Sequence, residues 1–103
     1  NSKVDDIIKQ LKTYGIDPVV VDPWASKEDA MHEYGVKLQS LEDAKDADCV
    51  IVAVAHNEFK SMSLDDIKGL FKECKDDEKV LLDVKGLYKV DELNASGMNW
   101  WRL

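Results

Sequence analysis

The stretch "DADCVIVAVAHNEF", residues 46–59, decides the fold: seven apolar residues run unbroken from Cys49 to Ala55 and stop at His56. A run of this length, rich in β-branched side chains and bounded by polar ones, reads as a buried strand at about 49–55. The chain downstream repeats the logic. Ser63 with Asp66 is a capping signature for a helix whose buried stripe is Leu64, Ile67, Leu70 and Phe71. "KVLLDV" then supplies another strand at about 79–84, and "MNWWRL" a last one at about 98–102, with alternate aromatics facing different neighbours.

Upstream the same alternation holds. Val4, Ile7, Ile8 and Leu11 fall at i, i+3, i+4 and i+7, one face of a helix that Ser2 caps and Gly15 stops, with Asp5 and Asp6 at its positive end. "DPVVVD" is a buried strand from about Pro18 to Asp22. Residues 26–35 form a short helix between Ser26, with Asp29 three positions on, and Gly35. A brief strand at 36–38 follows, then a stubby helix opened by Ser40 and Asp43 and carrying Leu41 and Ala44. Strands alternating with helices give an α/β class, a Rossmann-like three-layer αβα domain with a mostly parallel sheet and helices on both faces. The order starts on a helix, so it lacks the strand that normally comes first in a doubly wound domain. We therefore expect residues 1–103 to be one domain truncated at its N-terminus; standing alone it would need strands two and four to pair directly, or another chain to supply the missing strand.

Composition narrows the function. At 103 residues the chain suits a single core. Its net charge of -7 argues against duplex nucleic acid, which is bound through clustered Lys and Arg. No apolar run reaches the roughly 18 residues that cross a bilayer, and "NSKVDDIIKQ" has no signal-peptide character, so the expectation is a cytoplasmic protein with no membrane partner. Cys49 in the long strand and Cys74 in a predicted helix lack metal or CxxC spacing and read as buried structural thiols. His32, in a charged helix, reads as exposed. No metal site is expected.

Ligands of open parallel sheets bind outside the carboxyl ends of the strands. Those ends carry Asp22, Pro23 and Trp24; His56, Asn57 and the residues to Phe59; Asp83, Lys85 and Gly86; and Arg102. Asp22 before Pro23 reads as a turn former before a ribose ligand. His56 is as well suited to cap the following helix as to touch a ligand. Lys85 is a phosphate-binding lysine or a solvated one. Trp100 and Trp101 read as packing aromatics. No Gly-x-Gly-x-x-Gly, Walker loop or Ser-His-Asp order is present.

Several motifs together resemble one family. "NSKVDDIIKQL", "VDPWA" followed by "EYG", "DADCVIVAVAHNEF", "LLDVKGLY" and "WWRL" are similar to the C-terminal, UDP-binding domain of the UDP-glucose/GDP-mannose dehydrogenases. Ala55, His56 and Asn57 look more like the branch that oxidises UDP-N-acetylhexosamines than the UDP-glucose branch, which usually has Thr-Glu-Trp there. The resemblance implies an NAD-dependent enzyme of three parts. NAD sits in an N-terminal Rossmann domain absent here, a helical region makes a homodimer, and this domain closes over the UDP-sugar. The sugar 6-hydroxyl becomes a uronate through a cysteine upstream of this domain, serving capsule or other polysaccharide synthesis. Neither Cys49 nor Cys74 is that nucleophile, so these residues alone are inactive and hold no catalytic group. Lys85 in "DVKG" matches the family's basic residue on the phosphate side of the cleft. His56 and Asn57 share its rim, and the three form the expected substrate-binding set. Asn1 and Ser2 match the end of a family run, Asp-x-Arg-Asn-Ser, whose arginine is not in this sequence. The alternatives are a UDP-glucose or GDP-mannose 6-dehydrogenase domain, a free-standing receiver-like module using Lys85 beside a phosphorylated Asp, and a domain whose chief role is to dock on the rest of its own chain.

Overall fold

Parallel pairing organises what the chain builds. The structure is a computed structural model that describes residues 2–22, 28, 35–36 and 38–102, and it divides into two units, Asn1–Ala44 and Lys45–Leu103.

In the first unit, α1 (Ser2–Thr13) buries Ile8 against Val36, with Val4, Val20 and Leu38 packed around them. Ile7 and Leu11, the rest of the predicted stripe, are half-buried. Gly15 takes φ +76. Its N–H reaches Lys12 O at 2.9 Å while Ile16 N–H reaches Leu11 O at 3.0 Å. That pair of bonds satisfies two carbonyls orphaned at the helix end and depends on a left-handed residue, which is why glycine stops the helix here. Lys12 Nζ donates to Gly35 O at 2.9 Å. The strands expected at 18–22 and 36–38 contract to one parallel bridge, Val20 to Leu38, with Gln39 N–H donating to Val20 O at 2.9 Å. The helix expected over 26–35, and His32 with it, lies outside the described residues apart from Glu28 and Gly35. The helix expected after Ser40 is instead a turn over 41–43, held by Asp43 N–H on Ser40 Oγ at 3.3 Å. Leu41 and Ala44 give too narrow an apolar face to stabilise a further turn.

In the second unit β1 (Cys49–Val52), β2 (Val80–Asp83) and β3 (Asn99–Trp101) form a parallel sheet in the order β1-β2-β3. The register is Cys49 to Val80 and Val80 to Asn99. Side chains alternate along strands, so Val50, Leu81 and Trp100 share one face, as do Val52 and Asp83. That face carries the core: Val52, Ile67, Phe71, Leu81, Tyr88, Leu93 and Met98, with Val50 and Trp100 packed against it. The mixed α/β class with a parallel sheet is as the sequence predicts.

Between β1 and β2 the chain forms α2 (Asn57–Lys60), α3 (Leu64–Lys68) and a 3-10 turn, Asp76–Glu78. The predicted cap of α3 is made in both directions, Asp66 N–H to Ser63 Oγ at 3.1 Å and Ser63 N–H to Asp66 Oδ2 at 2.9 Å. Between β2 and β3 lies α4 (Val90–Ala95), which buries Leu93 completely. Four readings need correction. The long strand ends at Val52 rather than near 55, because the last rung is Val84 N–H to Val52 O at 3.0 Å and the chain then turns toward α2. Cys49 is exposed at the strand's outset, and Cys74, half-buried, lies outside any helix, between Phe71 and the 3-10 turn. Trp101 is 55% exposed, since its position in the register faces away from the core that Trp100 joins.

Leu81 and Leu93 are fully buried. Truncating either to alanine is expected to lower unfolding stability in urea by about 2–5 kcal/mol, from lost burial plus the cavity left behind. Trp101→Ala should cost less than about 1 kcal/mol. Equal losses at Leu81 and Trp101 would contradict this assignment of faces.

Candidate functional site

All three strands are parallel, so their carboxyl ends share one edge, and the residues that follow each strand gather there. The centre of that edge is Asp83, the last residue of β2 and fully buried. A carboxylate taken wholly out of water is tolerated only when its oxygens are hydrogen-bonded or paired. Asp83 Oδ1 accepts from Leu87 N–H at 2.8 Å and Oδ2 from Tyr88 N–H at 3.0 Å. Arg102 Nη2, arriving from the end of β3, stands 3.6 Å from Oδ2 and also donates to Tyr88 O.

Those bonds bend the chain back on itself. Gly86 N–H points to Asp83 O at 3.4 Å, and Gly86 takes φ +66, so Asp83 to Gly86 is a tight turn with Lys85 at its third position. Lys85 is exposed. Tyr88, next along, is buried in the core and its hydroxyl donates to Met62 O at 3.0 Å, between α2 and α3. The loop after β2 is thus tied on one side to the segment after β1 and on the other to the residue after β3.

His56 follows β1 at the N-cap position of α2, half-buried, with its ring centroid 5.8 Å from that of Phe59. Its side chain makes no capping hydrogen bond, which removes the helix-cap reading. Asn57 is the first residue of α2 and is exposed. Since β1 and β2 are neighbours, His56, Asn57 and Lys85 come from adjacent strand ends. Asp22 lies in the first unit, half-buried, whereas Pro23 and Trp24 fall outside the described residues. The sequence reading placed Asp83 and Arg102 on this rim but missed their pairing, and it missed Tyr88. A Tyr five residues beyond a strand-end Asp carries no period or spacing that announces such a tie. Among the described residues no group of three or more His, Cys, Asp or Glu side chains is placed to hold a metal ion, and no helix is long and apolar enough to cross a membrane.

Burial first, and then the carboxylates of Asp83, Asp66 and Glu92, push the Tyr88 phenol up to about 12. In the unfolded chain it ionises near about 10. Between about pH 10 and about pH 12 the unfolded chain gives up this proton while the folded one keeps it, so its contribution, full below the lower value, is lost as pH rises. Tyr88→Phe should remove that part of the alkaline decline and cost about 1 kcal/mol at neutral pH through the lost bond to Met62. Urea unfolding of both proteins across pH 7 to 11 checks it; parallel profiles would contradict the buried-phenol reading.

Comparison with known proteins meets this geometry from outside. The sequence profile of the UDP-glucose/GDP-mannose dehydrogenase family, UDP binding domain, matches residues 1–90, a span that includes His56, Asn57, Lys85 and Tyr88. The UDP-N-acetyl-D-glucosamine 6-dehydrogenase of Pseudomonas aeruginosa is 46% identical over 92 residues, 89% of this chain and 20% of that protein. The enzyme of the same name from Salmonella typhi is 36% identical over 85 residues, 82% of this chain and 19% of that protein. Protein CapL of Staphylococcus aureus is 37% identical over 103 residues, all of this chain and 23% of that protein. The chain thus spans about a fifth of the length of these relatives, and no solved structure matches it significantly. A profile match over residues 1–90, with relatives 36–46% identical over 82–100% of the chain, shows that the chain belongs to the UDP-glucose/GDP-mannose dehydrogenase family, as its UDP binding domain.

Proposed function

We propose that this chain is the nucleotide-sugar-binding part of an NAD-dependent UDP-N-acetylhexosamine 6-dehydrogenase, with Lys85 on the phosphate side of the ligand and His56 and Asn57 beside it. The observation that carries the reading is the turn Asp83 to Gly86, which presents a lysine at the carboxyl edge of a parallel sheet. A lysine held there supplies a charge-assisted donor to a diphosphate, and the neighbouring strand end supplies an amide and an imidazole. The names of two relatives support an N-acetylglucosamine-type sugar, and the match to CapL supports a place in capsule synthesis.

NAD has no fitting cradle in these residues: the sequence has no Gly-x-Gly-x-x-Gly turn to take a pyrophosphate at a helix start. Hydride transfer therefore belongs to other parts of a longer enzyme, a cytoplasmic homodimer in this reading, in which residues 1–103 are one domain. The contribution of this chain's own residues is to hold and orient the nucleotide. The receiver-like alternative needs an accessible phosphoacceptor near Lys85. The acid nearest in sequence, Asp83, is fully buried with both oxygens accepting backbone N–H groups, so it is closed to a phosphodonor.

Calorimetric titration of the full-length gene product with UDP tests the proposal. Lys85→Ala should weaken UDP binding about tenfold, the loss of one charge-assisted contact, with the melting temperature unchanged. Asn57→Ala should weaken it less. Unaltered affinity in the Lys85 variant would remove Lys85 from the site. Absence of NADH formation with NAD and each UDP-N-acetylhexosamine would sink the enzyme assignment.

A further inference from the structure

Arg102 is the one guanidinium on the strand rim; its ionic and hydrogen-bonding partners bracket the turn that carries Lys85, and its Cζ also stands 6.0 Å from the centroid of the Trp100 ring on β3. Its Nη2 stands 3.6 Å from Asp83 Oδ2, where the turn begins, and donates to Tyr88 O, where the turn's return ends. Between these two points it lies against Gly86: a Cβ built on Gly86 would meet Arg102 Cζ at 3.8 Å and Nη1 at 3.9 Å. The side chain is 34% exposed, with this bracket and the Trp100 ring beside it. One nitrogen, Nη2, serves both points while Cζ and Nη1 lie flat against Gly86, a placement of the whole guanidinium plane that an ammonium on a flexible stem does not reproduce.

We infer that Arg102 is a positioning residue for Lys85: by bridging Asp83 and Tyr88 across the Lys85 turn, it fixes that turn in the conformation that meets the diphosphate. The inference rests on the Lys85 reading above and adds to it the means by which the lysine is held. A lysine on a tight turn anchored at both ends is already in place when ligand arrives, so less ordering entropy opposes binding. Without the guanidinium, Leu87 and Tyr88 still have Asp83 as acceptor and Tyr88 keeps its core packing, but among the described residues the polar tie from the return of the turn to the end of β3 is lost, and the lysine then samples more backbone positions.

The discriminating experiment is a double-mutant cycle for UDP binding by the full-length gene product, made from Lys85→Ala, Arg102→Gln and the double variant. If Arg102 acts through Lys85, Arg102→Gln alone weakens UDP about five- to tenfold, and on the Lys85→Ala background it weakens binding no further. Amide exchange of Gly86, Leu87 and Tyr88 should quicken in Arg102→Gln while exchange of Leu81 and Leu93 stays slow, which separates a loosened turn from a loosened fold. Arg102→Lys keeps the charge beside Asp83 and loses the fork, so it should bind UDP as weakly as Arg102→Gln. It also stands in for that variant if glutamine prevents folding.

Losses that multiply in the double variant would mean that Arg102 meets the ligand by itself and would overturn the inference. So would full affinity in Arg102→Lys, which makes charge alone sufficient, or unchanged amide exchange. Failure of the underlying reading looks different: UDP then fails to bind the unaltered protein, or binds Lys85→Ala equally well, and the inference falls with it.

Discussion

A carboxylate buried without access to water must be satisfied by the protein, and Asp83 meets that demand by recruiting two backbone N–H groups from its own downstream chain and a guanidinium from the next strand. Much of the rim depends on this one constraint. To bring Leu87 and Tyr88 amides to Asp83 the chain must reverse within three residues, which sets the turn, the left-handed Gly86 and the exposure of Lys85. It also delivers the Tyr88 ring into the core, where the hydroxyl reaches the Met62 carbonyl. A polar group in an apolar core thus fixes direction as well as burial: Leu81, two residues earlier on the same face, is interchangeable with other apolar groups in a way that Asp83 is not.

The features legible in the sequence are those governed by local physics. The stripe of α1, its glycine stop and the reciprocal cap of α3 depend on residues within seven positions of one another, and each is present. The three strands of the second unit announce themselves by apolar runs, and parallel pairing follows from the helices between them. Non-local features were missed. Helix α4 begins at Val90 after an N-cap residue, Lys89, whose side chain makes no cap bond, and it buries only Leu93, so neither a cap nor a stripe marks it. The length of β1 was overread because an apolar run records burial, and Ala53 and Val54 are half-buried without being in the ladder.

The site divides along the same line. That His56, Asn57 and Lys85 follow adjacent strands was legible because strand ends can be read from runs, and the rim of a parallel sheet follows from topology. The family likeness added what spacing alone did not supply, a nucleotide diphosphate as the ligand class. The internal wiring of the rim was not legible. Asp83 to Arg102 is a contact between residues 19 apart in sequence, and nothing in "DVKG" or "WWRL" taken separately shows that one will neutralise the other.

That pairing bears on how a chain of net charge -7 can present a site to an anion. Interactions among exposed charges fade beyond roughly 8–10 Å at physiological ionic strength, so the total matters less than the charges near the ligand. Asp83 is two residues from Lys85 and, left ionised and unpaired, would oppose it. Instead its charge is directed inward, onto two amides and the Arg102 fork, while Lys85 stays outside in solvent. Arg102 therefore belongs to the electrostatics of the rim as well as to its geometry: it compensates the one buried acid that the fold requires there, and it leaves the lysine's charge unspent for whatever approaches the strand ends.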